Sequence, residues 1–124
     1  GDALTNWTGA YTTVDEAAVD DSDLAYSNVN DGTALYNLLP TPAGTFAVKA
    51  VAISARAIKS IDSTPTKIAL GIKTGTGTNA GSDQALITAW DTYSRLMQVD
   101  PTNADAVFTT PVIDALQVQL KARA

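Results

Sequence analysis

The chain has 124 residues, the length of one ordinary domain, so residues 1–124 are expected to fold as a single domain. It contains no Cys and no His, which excludes disulfides, zinc sites built on those residues, thiol nucleophiles and imidazole general bases. The net charge of −5 argues against a nucleic-acid partner, and no apolar run reaches the roughly 18 to 20 residues of a membrane span.

Acidic residues dominate the first quarter of the chain. Seven of them lie between Gly1 and Asp31, and no Lys or Arg accompanies them. The simplest interpretation is a solvated loop region between short strands. The alternative is a calcium site, because hard cations bind clustered carboxylates, and its candidate ligands are Asp20, Asp21 and Asp23. This run does not fit the spacing of an EF-hand loop.

The same part of the chain carries four short segments with the residue types of strands. They are Trp7 with its neighbours, residues 10–14, residues 24–26 and residues 33–38. Acidic turns and turns that contain Asn or Gly separate them, so the sequence predicts four short strands here.

The middle of the chain has the clearest two-residue period. From Ala47 to Lys59 most odd positions hold Ala, Val or Ile, and Thr66–Lys73 alternates in the same way. Both segments are therefore predicted to be strands with one buried face. Because only the turn-forming residues 60–65 separate them, the pair is predicted to form an antiparallel hairpin.

A Gly- and Thr-rich loop follows at residues 74–82, and its Gly spacing matches no phosphate-binding motif. Residues 84–87 are predicted to form a short strand and residues 92–99 a longer one. The longer strand has apolar side chains on both faces, so we expect it at the centre of a sheet. Pro, Asn and Asp residues predict a turn at 100–105.

The C-terminal segment predicts a helical turn and a last strand. Thr110 resembles an N-cap and Pro111 a first helical residue, so Val112–Leu116 is predicted to form one helical turn. Gln117–Arg123 alternates again, with its polar residues outward and Val118, Leu120 and Ala122 inward. About eight strands and one helical turn predict an all-β fold, a jelly-roll-like antiparallel β-sandwich.

Two function classes can be weighed from the residues alone. The acids cluster in a loop region and Glu16 is the only Glu, so we expect no glycosidase pair and no enzyme. Sugar binding is the alternative function, because aromatic side chains stack on sugar rings. The candidate sugar-binding residues are Trp7 and Tyr11. The aromatic residues predicted to lie in the core are Tyr93, Trp90 and Phe46.

Structural assembly is the third function class. Ala supplies 21 residues of the 45% hydrophobic fraction, so the core of one chain is expected to be thin. Packing against neighbours would complete it, as in the subunits of a shell or fibre. A homo-oligomer is therefore the expected form.

A series of turn and strand motifs runs through nearly the whole chain. They are Val14-Asp15-Glu16-Ala17, Asp20-Asp21-Ser22-Asp23, Tyr26-Ser27, Leu38-Leu39-Pro40, Val48-Lys49-Ala50-Val51, Ala55-Arg56-Ala57, a Gly-rich turn, Gln84-Ala85-Leu86, Tyr93-Ser94 and Asp100-Pro101. Together they resemble a domain that recurs in structural proteins of tailed bacteriophages. The Trp-Thr pair usual in that family before its final helix and strand is replaced here by Phe108-Thr109.

The resemblance implies a jelly-roll-like sandwich on the virion surface, without catalytic residues or a cofactor. Its partners would be other capsid or tail proteins, and decoration of the capsid is preferred to a tail or fibre location. The alternative is a carbohydrate-binding module on a phage appendage, with a surface glycan as its ligand.

Overall fold

The computed structural model describes residues 3–9, 21, 22, 24–44, 46–62 and 64–124. The strands within them are β1 (Ala3–Thr5), β2 (Thr33–Asn37), β3 (Val51–Ala57), β4 (Lys67–Lys73), β5 (Thr78–Asn79), β6 (Asp83–Ala85), β7 (Asp91–Met97) and β8 (Gln117–Arg123), and the helix α1 is Thr110–Asp114. The predicted strand at residues 10–14 lies outside the described residues. Of the predicted strand at residues 24–26, the structure shows a single bridge, in which the backbones of Thr8 and Tyr26 exchange two hydrogen bonds.

The described strands form two antiparallel sheets, which confirms the predicted all-β, sandwich-like class. The main sheet has the order β1-β2-β8-β4-β5, and β6 also pairs with β4. The second sheet, as far as the described residues go, consists of β3 and β7. These pairings establish two antiparallel sheets but not the strand order of a jelly roll, so the jelly-roll topology stays a prediction.

The predicted hairpin between β3 and β4 is wrong. β3 pairs with β7, with Ser54 opposite Ser94, whereas β4 pairs with β8, with Leu70 opposite Leu120. The chain therefore crosses from one sheet to the other between β3 and β4. Each of these strands has an apolar face, and placing the two faces against each other across the sandwich buries both.

The strand with both faces covered is β4, whereas the sequence predicted this for residues 92–99. In β4 the consecutive residues 68–72 are all buried. The strand β7 belongs instead to the second sheet, and its Leu96 is 66% exposed on the outer face. The apolar side chain on the outer face of β7 is therefore the exposed Leu96, and it does not indicate a central strand.

The core lies between the two sheets and is closed at one end by the residues around α1. Its buried members are Ile53, Ile68, Leu70, Ile72, Tyr93, Met97, Phe108 and Leu116. Tyr93 is a core residue as predicted, but Trp90 is only half-buried and Phe46 is 47% exposed. Phe108, which lines the same shallow cavity as Phe46, takes the interior position.

The last strand, β8, has the predicted bounds, and Ala122 is buried on its inner face. Gln119, predicted to point outward to solvent, is buried as well. It lies between two neighbouring strands, opposite Gly71 of β4 and Leu35 of β2, which cover it. The Oε1 atom of Gln119 has no hydrogen-bond partner among the described residues.

The helix α1 lies close to its predicted position but starts earlier. Its N-cap is Thr109 and Pro111 lies in the first turn, so the predicted cap at Thr110 is one residue late. At its other end, Asp114 Oδ1 accepts hydrogen bonds from the backbone N–H and the hydroxyl of Thr41, both at 2.8 Å. This contact fixes the loop after β2 to the helix.

Arg95 of β7 connects the second sheet to the main sheet. Its guanidinium donates to the carbonyl of Leu70 at 3.0 Å, to the carbonyl of Asn79 at 3.3 Å and to Asn79 Oδ1 at 2.7 Å. Because Leu70 lies on β4 and Asn79 on β5, β7 is held above that side of the main sheet.

Candidate functional site

A cleft of about 530 Å³ opens between the two sheets. Its lining includes Ala55 and Ala57 of β3 and, from the main sheet, Leu120 and Ala122 of β8. No residue of β7 itself lines it, although Trp90 directly before β7 does. Of β3 only the C-terminal half lines the cleft, and another wall is formed by Trp7 and by residues 21 and 24–28. We take this cleft as the candidate functional site.

The cleft exists because the second sheet covers only part of the main sheet. Arg95 holds β7 above β4 and β5, and β3 lies beside β7. Among the described residues, no strand continues the second sheet above β2 and β8. The inward side chains of Tyr36 and Leu120 therefore line the cleft.

Four aromatic side chains line the cleft, namely Trp7, Tyr26, Tyr36 and Trp90. The structure thus places Trp7, a predicted sugar-binding residue, in the site, whereas Tyr11 lies outside the described residues. The Nε1 atom of Trp7 is buried and donates to no described acceptor. An unsatisfied buried N–H is unfavourable, so a ligand that brings an acceptor would gain from this donor.

Arg56 and Asp21 form a two-point ion pair at the cleft. Arg56 Nε donates to Asp21 Oδ1 and Arg56 Nη2 donates to Asp21 Oδ2, both at 2.8 Å. The hydrogen bond that Arg56 donates to Asp21 is the main reason why the pKa of Arg56 is raised. The guanidinium also lies 5.7 Å from the centroid of the Trp90 ring, within the range of a cation–π contact.

Two further cations line the cleft. The side chains of Lys59 and Lys67 are part of its lining, and neither forms an ion pair with a described acidic residue. Asp21 is the one described carboxylate in the lining, and it is already paired with Arg56. The described part of the cleft is therefore apolar inside and positively charged around it.

The calcium hypothesis concerned Asp20, Asp21 and Asp23. Asp21 binds Arg56, while Asp20 and Asp23 lie outside the described residues. In the described ranges no three acidic side chains come together as a metal site. Calcium binding stays a prediction, tested by melting the chain with and without a chelator.

Sequence reasoning missed the other half of the site. The predicted hairpin places Arg56 and Lys67 on the polar sides of its strands, and Trp90 is predicted to lie in the core. The predicted hairpin places β3 and β4 side by side in one sheet, so it does not predict that these residues meet at a cleft between two sheets. The local signal that was available is the pair of Lys residues flanking the 60–65 turn.

Comparison of this chain with known protein families, with curated proteins and with solved structures finds no match. Within the described residues, α1 is far too short to cross a membrane, and no other helix that could do so is present. The function therefore has to be argued from the geometry of the cleft and of the two sheets.

Proposed function

We propose that the chain is a non-enzymatic structural module of a tailed-bacteriophage virion, located on the virion surface as a capsid decoration protein. The observation that carries the proposal is the incomplete sandwich, in which a two-stranded second sheet faces a six-stranded main sheet in the described residues. A two-stranded sheet is marginally stable and cannot cover the larger one. Packing against neighbouring subunits stabilises such a domain.

Large apolar side chains are exposed at both ends of the sandwich. At the end where β2 and β7 finish, Leu39 is 91% and Val107 is 69% exposed. At the other end, beyond β3 and β6, Ile61 is 82% and Ile87 is 51% exposed. Isolated exposed apolar residues are ordinary, but groups at opposite ends suit a subunit that contacts two neighbours.

The sequence supports the virion assignment in two further ways. The motifs that resemble phage structural proteins extend over nearly the whole chain, and they contain no reactive centre. The net charge of −5 would keep the chain soluble before assembly and would complement a basic surface on a capsid protein.

Immunogold electron microscopy tests the location. Antibodies raised against the purified chain are expected to label the capsid surface of phage particles released from cells that carry the gene, and pre-immune serum is the control. Label confined to tails or fibres would show that the module belongs to an appendage and not to the capsid. Particles without label would overturn the virion proposal.

Light scattering over a concentration series tests the assembly itself. A stable trimer or larger closed ring is expected if self-association completes the sandwich. A monomer at every concentration would mean that a different virion protein covers the exposed apolar groups.

The aromatic lining of the cleft favours a second candidate, a carbohydrate-binding module on a phage appendage. Aromatic rings such as Trp7 and Tyr26 stack on sugar rings, and the buried Nε1 of Trp7 can donate to a hydroxyl oxygen. A glycan array with the purified chain tests this function. Trp7→Phe should abolish a genuine signal, and Leu96→Ala on the outer face of the second sheet should leave it unchanged.

A further inference from the structure

We infer that the edge of β3 facing away from β7 is the acceptor for an extended, acidic peptide segment of a partner protein. The segment would add to β3 as a third strand of the second sheet and would place its apolar side chains in the cleft. This inference does not depend on the virion assignment.

The first support is the open backbone edge of β3. Val51–Ala57 forms its backbone ladder with β7, and no other described strand pairs with it. An unpaired edge is a template for strand addition unless Pro, a bulge or a projecting charge blocks it. β3 contains no Pro, and its one charged side chain, Arg56, is held by Asp21.

The outer edge of β7 is a poorer acceptor. The carbonyl oxygen of Ser94 already accepts a hydrogen bond from Gln84 Nε2 at 3.2 Å. The hydroxyl of Tyr93 accepts another from the backbone N–H of Ile87 at 3.3 Å. Residues around β6 thus lie against β7, which leaves the β3 edge as the open one among the described strands.

The second support is the apolar cleft beside the C-terminal half of this edge, where Ala55 and Ala57 line it. A strand added to β3 would lie above β2 and β8, at the roughly 10 Å spacing of packed sheets. Every second side chain of that strand would point toward Tyr36 and Leu120. The volume of about 530 Å³ falls within the range of known binding pockets, about 300 to 1,000 Å³.

The third support is the charge around the cleft. Lys59 and Lys67 line it without an acidic partner in the described residues, whereas the charge of Arg56 is neutralised by Asp21. Two unneutralised cations at the C-terminal end of β3 favour a partner that carries carboxylates where it passes Lys59 and Lys67. The matching segment is therefore apolar where it faces Tyr36 and Leu120 and acidic where it passes the two Lys residues.

The probe is a fluorescein-labelled synthetic peptide of about nine residues that alternates Val or Tyr with Thr and carries Asp residues at one end, long enough to span the seven residues of β3. It is titrated into the full chain and followed by fluorescence anisotropy. Hydrogen exchange is measured in parallel, and backbone amides of residues 51–57 are expected to become protected when the peptide binds. A peptide N-methylated on the amides that face β3 should lose binding, whereas one methylated on the alternate amides should keep it.

Two variants with matched controls locate the peptide. Ala57→Leu narrows the cleft and is expected to weaken binding about tenfold, whereas Ala52→Leu, on the opposite face of β3, leaves it unchanged. The double variant Lys59→Ala with Lys67→Ala is expected to weaken binding about fivefold at low salt, whereas Lys73→Ala does not. Circular dichroism melts confirm that each variant is folded.

Four results would overturn the inference. They are absence of binding at about 1 mM peptide, binding without new protection in β3, equal binding of a peptide with its apolar residues clustered, and protection of β3 by a glycan alone. A fifth result would replace the partner: if β3 amides are already protected at high chain concentration and lose protection on dilution, a second copy of this chain occupies the edge.

Discussion

Arg95 holds the two sheets together by hydrogen bonds, and it forms no ion pair with a described acidic residue. Burial lowers the pKa of its guanidinium, but the group stays charged because an ordinary Arg pKa is far above neutral pH. Arg95→Met keeps the aliphatic stem and removes the donors to Leu70 and Asn79, so we expect a loss of about 3 kcal/mol in the free energy of unfolding.

Urea denaturation measures this loss. Lys73→Met is the control, because Lys73 is exposed at the end of β4 and should change the unfolding free energy by less than about 0.5 kcal/mol. Equal effects of the two substitutions would show that Arg95 does not connect the sheets in solution.

Gly71 is the second residue on which the packing of the main sheet depends. A Cβ at this position would lie 2.5 Å from the carbonyl oxygen of Asn79 and 2.7 Å from Ala80 Cα. Both are backbone atoms that cannot move away cheaply, so Gly71→Ala is expected to cost about 2 kcal/mol and to displace β5.

Thermal melting compares Gly71→Ala with Gly75→Ala. A Cβ at Gly75 would meet no atom within 4 Å, so that variant should melt close to the unmodified chain. A Gly75→Ala variant as unstable as Gly71→Ala would contradict the assignment of the cost to the β4–β5 contact.

At the scale of elements, Asp31 joins the start of β2 to the end of β8. Its backbone N–H donates to the carbonyl of Ala122 at 2.8 Å, and its carboxylate forms ion pairs with Arg123 and Lys121. Burial raises the pKa of this carboxyl, but hydrogen bonds from Arg123 and Lys121 outweigh it, and the net pKa lies below the ordinary 3.8. The left-handed φ of 64° at Asp31 is also accessible to Asn, which makes Asp31→Asn a suitable variant.

A carboxyl whose pKa is lowered on folding stabilises the fold above its unfolded pKa and loses that effect as the pH falls through the folded value. Asp31→Asn should therefore lower the Tm at pH 7, and the difference from the unmodified chain should shrink as the pH falls below about 3.8. Melting curves from pH 7 to pH 2 measure it, with Asp62→Asn as an exposed control. A difference that grows toward low pH would contradict the ion pairs.

The longer strands could be predicted from the sequence, because side-chain alternation is a local property, whereas the short strands β1 and β5 lie outside the predicted segments. Gln117–Arg123 has the predicted bounds, and β7 differs from residues 92–99 by one residue at its start and two at its end. Strand pairing is not local, since β3 pairs with β7, and β4, β5 and β6 lie between these two strands in the sequence. That is why the hairpin prediction failed although both strands were found.

The candidate site was only partly predictable for the same reason. The sequence indicates Trp7 as a candidate for sugar binding and Asp21 as a candidate for calcium binding, and the structure brings both to one cleft with Arg56 and Trp90. These residues come from widely separated segments, and their proximity depends on which part of the main sheet the second sheet covers. No single-strand pattern contains that information.

For the whole molecule, the shared core predicts that both sheets unfold together. Ile53 and Tyr93 from the second sheet belong to the same buried cluster as Leu70 from the main sheet. A two-stranded sheet is marginally stable alone, so β3 and β7 should not stay folded once the main sheet is lost. The chain has two Trp residues, of which Trp90 directly precedes β7 and Trp7 follows β1, and both line the cleft between the sheets.

The variants Trp7→Phe and Trp90→Phe leave one Trp each, so that the surroundings of each Trp can be followed separately. In urea, each variant's fluorescence midpoint should coincide with its own far-ultraviolet circular dichroism midpoint. Adding Leu70→Ala should lower the unfolding free energy by about 3 kcal/mol and shift all of these midpoints together to lower urea concentration. If Trp90 reported an earlier transition than circular dichroism, the second sheet would detach as a separate unit. The Arg95 contacts and the common core would then be too weak to couple the sheets, and a partner strand on β3 would be needed to hold the second sheet in place.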